Sequence, residues 1–64
     1  MNYIQITKQE LDFTVIEMTP DGEELFRIGR WNTLEKSVEK AHQFIDLIKD
    51  LLEEDTISNE LKIV

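Results

Sequence analysis

Cysteine is absent from this 64-residue chain, so neither a disulfide framework nor a thiolate metal site can supplement its core. That composition suits a reducing compartment, and the expected location is the cytoplasm. No apolar run approaches the roughly 20 residues that span a bilayer. Met1 to Gln5 lacks the basic region and apolar stretch of a secretory leader, so a soluble intracellular protein without membrane contact is expected. Glycine occurs only at Gly22 and Gly29, which leaves no Gly-rich loop for phosphate. His42 is the one histidine, and Ser37 and Ser58 have no strong base arranged near them. The carboxylates are plentiful but lie on an open helix, with no enclosing pocket to set them up for acid–base work. The chain therefore reads as non-enzymatic, with no cofactor, metal or small-molecule substrate.

Positive charge is also scarce. Seven Lys and Arg face 14 Asp and Glu, a net charge of −7 on 7.6 kDa, spread over both halves of the chain. Nucleic-acid binders neutralise phosphates with a basic surface, so this balance argues against them and favours steering toward a basic protein.

What the sequence does contain is the makings of one small ordered domain over residues 1 to 64. Apolar residues make up 41% and charged residues 33%, an ordinary globular mixture rather than a disordered one. At this length only roughly 60% of the unfolded surface can be buried. Stability must come from packing, or from a partner.

Tyr3-Ile4-Gln5-Ile6-Thr7 alternates with period two and predicts a first strand. Lys8-Gln9-Glu10 is a polar break before a second strand, Leu11 to Met18, with Leu11, Phe13 and Val15 on one face and Ile16 and Met18 on the other. Thr19-Pro20-Asp21-Gly22 predicts a hairpin: Pro presets φ at the first central position, and Asp-Gly accepts the positive φ that closes the turn. The return strand, Glu24 to Arg30, places Phe26 and Ile28 together on its more apolar side, expected inward. Asn32 or Thr33 can cap the helix that follows, and Asn32 with Glu35 has capping-box spacing. That helix is expected from about Leu34 to Glu54. Glu53-Glu54-Asp55 sets negative charge at the negative end of its dipole, which favours fraying. Thr56 to Val64 reads as a short helix, an added strand or a disordered tail, and a short ordered segment is expected. The fold class predicted is α+β: a three-stranded antiparallel meander, one long helix packed across it, and a short C-terminal element.

Three surfaces stand out. Glu35, Glu39, Asp46, Asp50 and Glu53 fall on one helical ridge with His42 among them. Their steps of four, seven, four and three residues space them by roughly 5 to 11 Å, comparable to phosphates on a nucleic-acid backbone. A DNA mimic reads them one way, a solvated helix face balanced by Lys36, Lys40 and Lys49 the other. Glu39, His42 and Asp46 also have i, i+3, i+7 spacing for metal ligands, although such sites need several helices and burial. Opposite the ridge lies an apolar arc of Leu34, Val38, Ala41, Phe44, Ile45, Leu47, Ile48, Leu51 and Leu52 that widens toward the helix end. A three-stranded sheet covers too little of it, so either the C-terminal segment or another molecule must meet Phe44, Leu47 and Leu51. A homodimer seam is the alternative role for those three residues. Arg27, Arg30 and Trp31 form the one basic and aromatic cluster, capable of contacting phosphate or stacking on a base. The structural reading has Trp31 closing the core and the arginines pairing with Glu17 or Glu24.

The order β-β-β-α over about residues 3 to 54 is similar to that of the small arm-binding domains of phage integrases and of plant transcription factors that read DNA with the sheet. The resemblance is one of topology, and the basic sheet of those domains is missing here. The function expected is an acidic protein–protein interaction module, an accessory or inhibitory protein of a phage or mobile element that binds a basic host protein. A homodimerising structural module is the alternative, and a weak nucleic-acid binder the third.

Overall fold

The computed structural model describes residues 1–52 and 56–64. Strands β1 (Asn2–Gln9), β2 (Asp12–Met18) and β3 (Glu24–Trp31) precede helix α1 (Leu34–Leu51), and strand β4 (Ile57–Ile63) follows it. The sheet order is β3-β2-β1-β4. Strands β1 to β3 form the expected antiparallel meander, and β4 adds to the free edge of β1 in parallel. The sheet is therefore four-stranded and mixed, a correction to the three-stranded antiparallel sheet. A parallel neighbour needs a long crossover, and α1 supplies it by carrying the chain across the sheet face from β3 to β4.

Each connection has a local cause. Gln9 and Asp12 pair across a two-residue loop of Glu10 and Leu11, with Glu10 at φ 56°. Leu11 is thus an exposed loop residue and not a strand residue beside Phe13. After β2, Gly22 N–H donates to the Thr19 carbonyl at 2.9 Å, with Pro20 and Asp21 between them and Gly22 at φ 90°. Thr19 N–H closes the loop on the Glu23 carbonyl at 2.9 Å, and the Thr19 hydroxyl accepts from Glu23 N–H at 3.0 Å. This is a three-residue hairpin whose last position needs glycine's positive φ.

Thr33 is the helix cap: its hydroxyl accepts from Lys36 N–H at 3.1 Å. Lys36 occupies the third helical position, so the Asn32–Glu35 capping box is not the one used. At the other end Leu52 N–H reaches the Ile48 carbonyl at 2.8 Å and Leu52 leaves helical geometry. The helix stops at Leu51, short of the expected Glu54. The fraying expected of Glu53 to Asp55 lies outside the described residues.

The core lies between helix and sheet: Ile4, Ile6, Val15, Ala41, Ile45 and Ile57 are buried, with Phe13, Ile28, Trp31, Val38, Phe44, Ile48 and Leu61 packed around them. Period two along β1 and β2 puts Ile4, Ile6, Phe13 and Val15 under the helix and Thr14, Ile16 and Met18 on the opposite face. Ser37, Ala41 and Ile45, one turn apart, form the buried line of α1. Small residues at the first two positions let the helix backbone approach the strands closely. The Ser37 hydroxyl is satisfied by donating to the Thr33 carbonyl at 3.0 Å. Among the described residues no buried side-chain polar atom lacks a partner.

Two register shifts interrupt the β2–β3 ladder, one between Val15 and Ile16 and one between Glu17 and Met18. They pass over Ile28 and Leu25. The first lets Ile28 turn toward the core as expected, whereas Phe26 reaches only the helix flank and stays 54% exposed.

Candidate functional site

The acidic ridge is built by α1 alone. Glu35, Glu39, His42, Asp46 and Asp50 are all exposed on the side of the helix turned away from the sheet. Glu53 lies outside the described residues. Lys36 Nζ sits 3.6 Å from Glu39 Oε2, an exposed i, i+3 pair of the kind worth only some tenths of a kcal/mol. Among the described residues Glu35, Asp46 and Asp50 take no ion pair. Lys49 is turned the other way, donating to Asn59 Oδ1 of β4 at 2.6 Å. Its charge ties the helix end to the sheet edge and does not balance the ridge. Among the described residues no group of three His, Cys, Asp or Glu side chains is placed to hold a metal ion.

The sheet acids do not extend this line. Asp12 lies on the face opposite the helix, 3.3 Å from Arg30 Nη2. Glu17 accepts from Asn2 Nδ2 at 2.9 Å across β1. Glu10 occupies the β1–β2 loop.

The basic and aromatic cluster is divided by the sheet. Arg30 pairs in register with Thr14, and Arg27 with Ile16, on the face away from α1. Arg27 Nη2 lies 3.7 Å from Glu24 Oε1 on the same strand, and Arg30 takes Asp12 rather than the expected Glu17 or Glu24. Trp31 pairs with Phe13 on the helix side and packs against the core, its ring lying over Gly29. The two arginines and the ring thus share no surface on which a base could stack and its phosphate be held at once.

The apolar arc does divide into covered and uncovered parts. β4 buries Ile57 and seats Leu61 against the core at the β1 edge of the sheet. Phe44 is half-buried and stacks on Phe26 of β3, with ring centroids 6.2 Å apart and planes 20° from parallel. Leu47 and Leu51, one and two turns further on, are 53% and 70% exposed. Leu52 is exposed as well. The C-terminal segment is therefore not the cover for the three residues of the candidate seam.

A shallow open groove at the other side of the sheet is lined by Met1, Tyr3, Pro20, Ser58, Glu60, Leu61 and Lys62. Lys62 Nζ lies 6.0 Å from the centre of the Tyr3 ring. Its lining holds neither a paired acid and base nor a nucleophile activated by a neighbour. Among the described residues no helix is long and apolar enough to cross a membrane. No protein family, curated protein or solved structure matches the chain.

Sequence reasoning found the ridge and the surplus apolar arc. It placed Phe26 inward with Ile28, and the ring does lie on the helix side, but the two register shifts, which a period-two reading of β3 does not show, leave it at the helix flank and half exposed.

Proposed function

We propose that this chain is a non-catalytic protein–protein interaction module that engages a basic partner through the outer side of α1. The observation that carries this reading is the row of exposed carboxylates at Glu35, Glu39, Asp46 and Asp50, of which, among the described residues, only Glu39 has an ion-paired cation. Carboxylates held at fixed spacing on a rigid helix raise the encounter rate with a basic surface and select against acidic ones. A cytoplasmic accessory or inhibitory protein of a mobile element, mimicking DNA to its target, is one form such a module takes. The ridge supports that form by its spacing alone, since the sheet acids add no second row.

The test is a triple charge reversal, Glu39→Lys with Asp46→Lys and Asp50→Lys. These side chains are exposed, so circular dichroism and thermal midpoint should stay close to those of the parent. Quantitative capture from a cell lysate at physiological salt should retain a basic protein on the parent that is lost on the triple variant. A partner retained equally by both would overturn the reading.

A further inference from the structure

We infer that the apolar strip of Phe26, Phe44, Leu47 and Leu51 is the docking site for a basic amphipathic helix of the partner protein. The inference rests on the reading of the chain as a module for a basic partner, and it adds where that partner's apolar side chains go.

The strip is already assembled. Phe26 and Phe44 hold each other in a stacked pair, and Leu47 and Leu51 continue their line along α1 at i+3 and i+7 from Phe44. Three of the four residues are more than half exposed. Side chains held in place before the partner arrives lose little rotamer freedom on binding. An i, i+3, i+7 stripe about 10 Å long is the ridge that packs between the side chains of a second helix. A helix fits better than a strand, because the β3 edge beside the strip carries two register shifts that break the row of backbone groups a new strand would need.

Charge decides between a foreign helix and a second copy of this chain. Asp46 and Asp50 each precede a strip leucine and flank it on the helix's outer side. A two-fold contact through the strip would bring together two chains that each carry −7, with two sets of these acids at one seam. Lysines flanking the apolar face of a foreign helix would meet them instead.

The probe is a synthetic helical peptide with leucines at i, i+3, i+4 and i+7 and lysines elsewhere. Its twin carries glutamates in place of the lysines. Binding is followed by backbone amide shifts of the full chain and by titration. The lysine peptide should bind and move the amides of Phe26, Phe44, Leu47 and Leu51, and the glutamate twin should not bind. Leu47→Ser with Leu51→Ser keeps the net charge and removes only exposed apolar surface, and it should weaken the lysine peptide about tenfold or more. Equal affinity in parent and serine variant would overturn the docking site while leaving the basic-partner reading standing, since the ridge alone would then hold the peptide. Equal binding of both peptides would overturn the charge argument, and with it both readings.

Discussion

Gly29→Ala tests the packing of the closed end of the core, because the ring of Trp31 lies over the glycine. A Cβ built at Gly29 would sit 2.5 Å from Trp31 Cη2, 2.9 Å from Cζ3 and 3.1 Å from Cζ2. Carbon pairs rest at about 3.5 to 4.0 Å, so the ring must shift by about 1 Å. Trp31 packs against the Ile4–Ile45 cluster, and the shift is transmitted to the core instead of to solvent. Overpacking of this kind costs about 1 to 3 kcal/mol, offset by about 0.5 to 1 kcal/mol gained on removing a glycine from a strand. The net loss is up to about 2.5 kcal/mol and about 1 kcal/mol at mid-range, and the mid-range loss corresponds to a fall of roughly 4 to 8 °C in the melting temperature of a domain this small. Trp31 is the only tryptophan, so fluorescence excited at the red edge of the absorption band, where Tyr3 does not absorb, reports this ring alone. The emission of Gly29→Ala should move to longer wavelength as the ring is lifted toward water. In a Trp31→Leu background the same substitution should be neutral or stabilising, because the clash is gone. An unchanged melting temperature and emission in the single variant would refute the contact.

Three other substitutions read separate parts of the account. Glu10→Gly relieves the positive φ of the β1–β2 loop and should raise stability by about 1 kcal/mol, read as a higher melting temperature; a fall would contradict the loop geometry. Thr33→Ala removes the hydroxyl that accepts from Lys36 N–H and should cost about 1 kcal/mol, whereas Asn32→Ala should cost much less; the reverse order in denaturant titrations would restore Asn32 as the cap. Ile57→Ala empties a fully buried site in β4 and should cost about 2 to 5 kcal/mol. That is a large part of the roughly 3 to 10 kcal/mol expected of a chain this long. A cost near zero by urea unfolding would mean that β4 is not part of the core.

The meander and the helix were legible because their signals are local. Alternation at Tyr3 to Thr7, the Pro20-Asp21-Gly22 turn and the threonine before Leu34 each act within a few residues. The parallel β4 was not, because its place depends on which sheet edge the helix leaves open. Leu61-Lys62-Ile63 alternates like a strand, but Ile57, Leu61 and Val64 stand at helical spacing, and only the edge of β1 decides between them. The Glu10-Leu11 loop was hidden for a different reason: neither residue is a turn former, and a glutamate takes the positive φ because the strands on both sides pair in register. Of the site residues, the exposure of the ridge and the surplus of apolar surface at Leu47 and Leu51 followed from helical period alone. The separation of Arg27 and Arg30 from Trp31 did not, since it depends on the register of β3 against β2.

The central claim is that the outer side of α1 and the strip beside it await a basic partner and not a second copy of this chain. Light scattering across a concentration series at low and physiological salt tests it directly. A mass near 7.6 kDa at every concentration is the predicted result. A stable species of twice that mass, converted to monomer by Leu47→Glu, would contradict it and make the strip a homodimer seam.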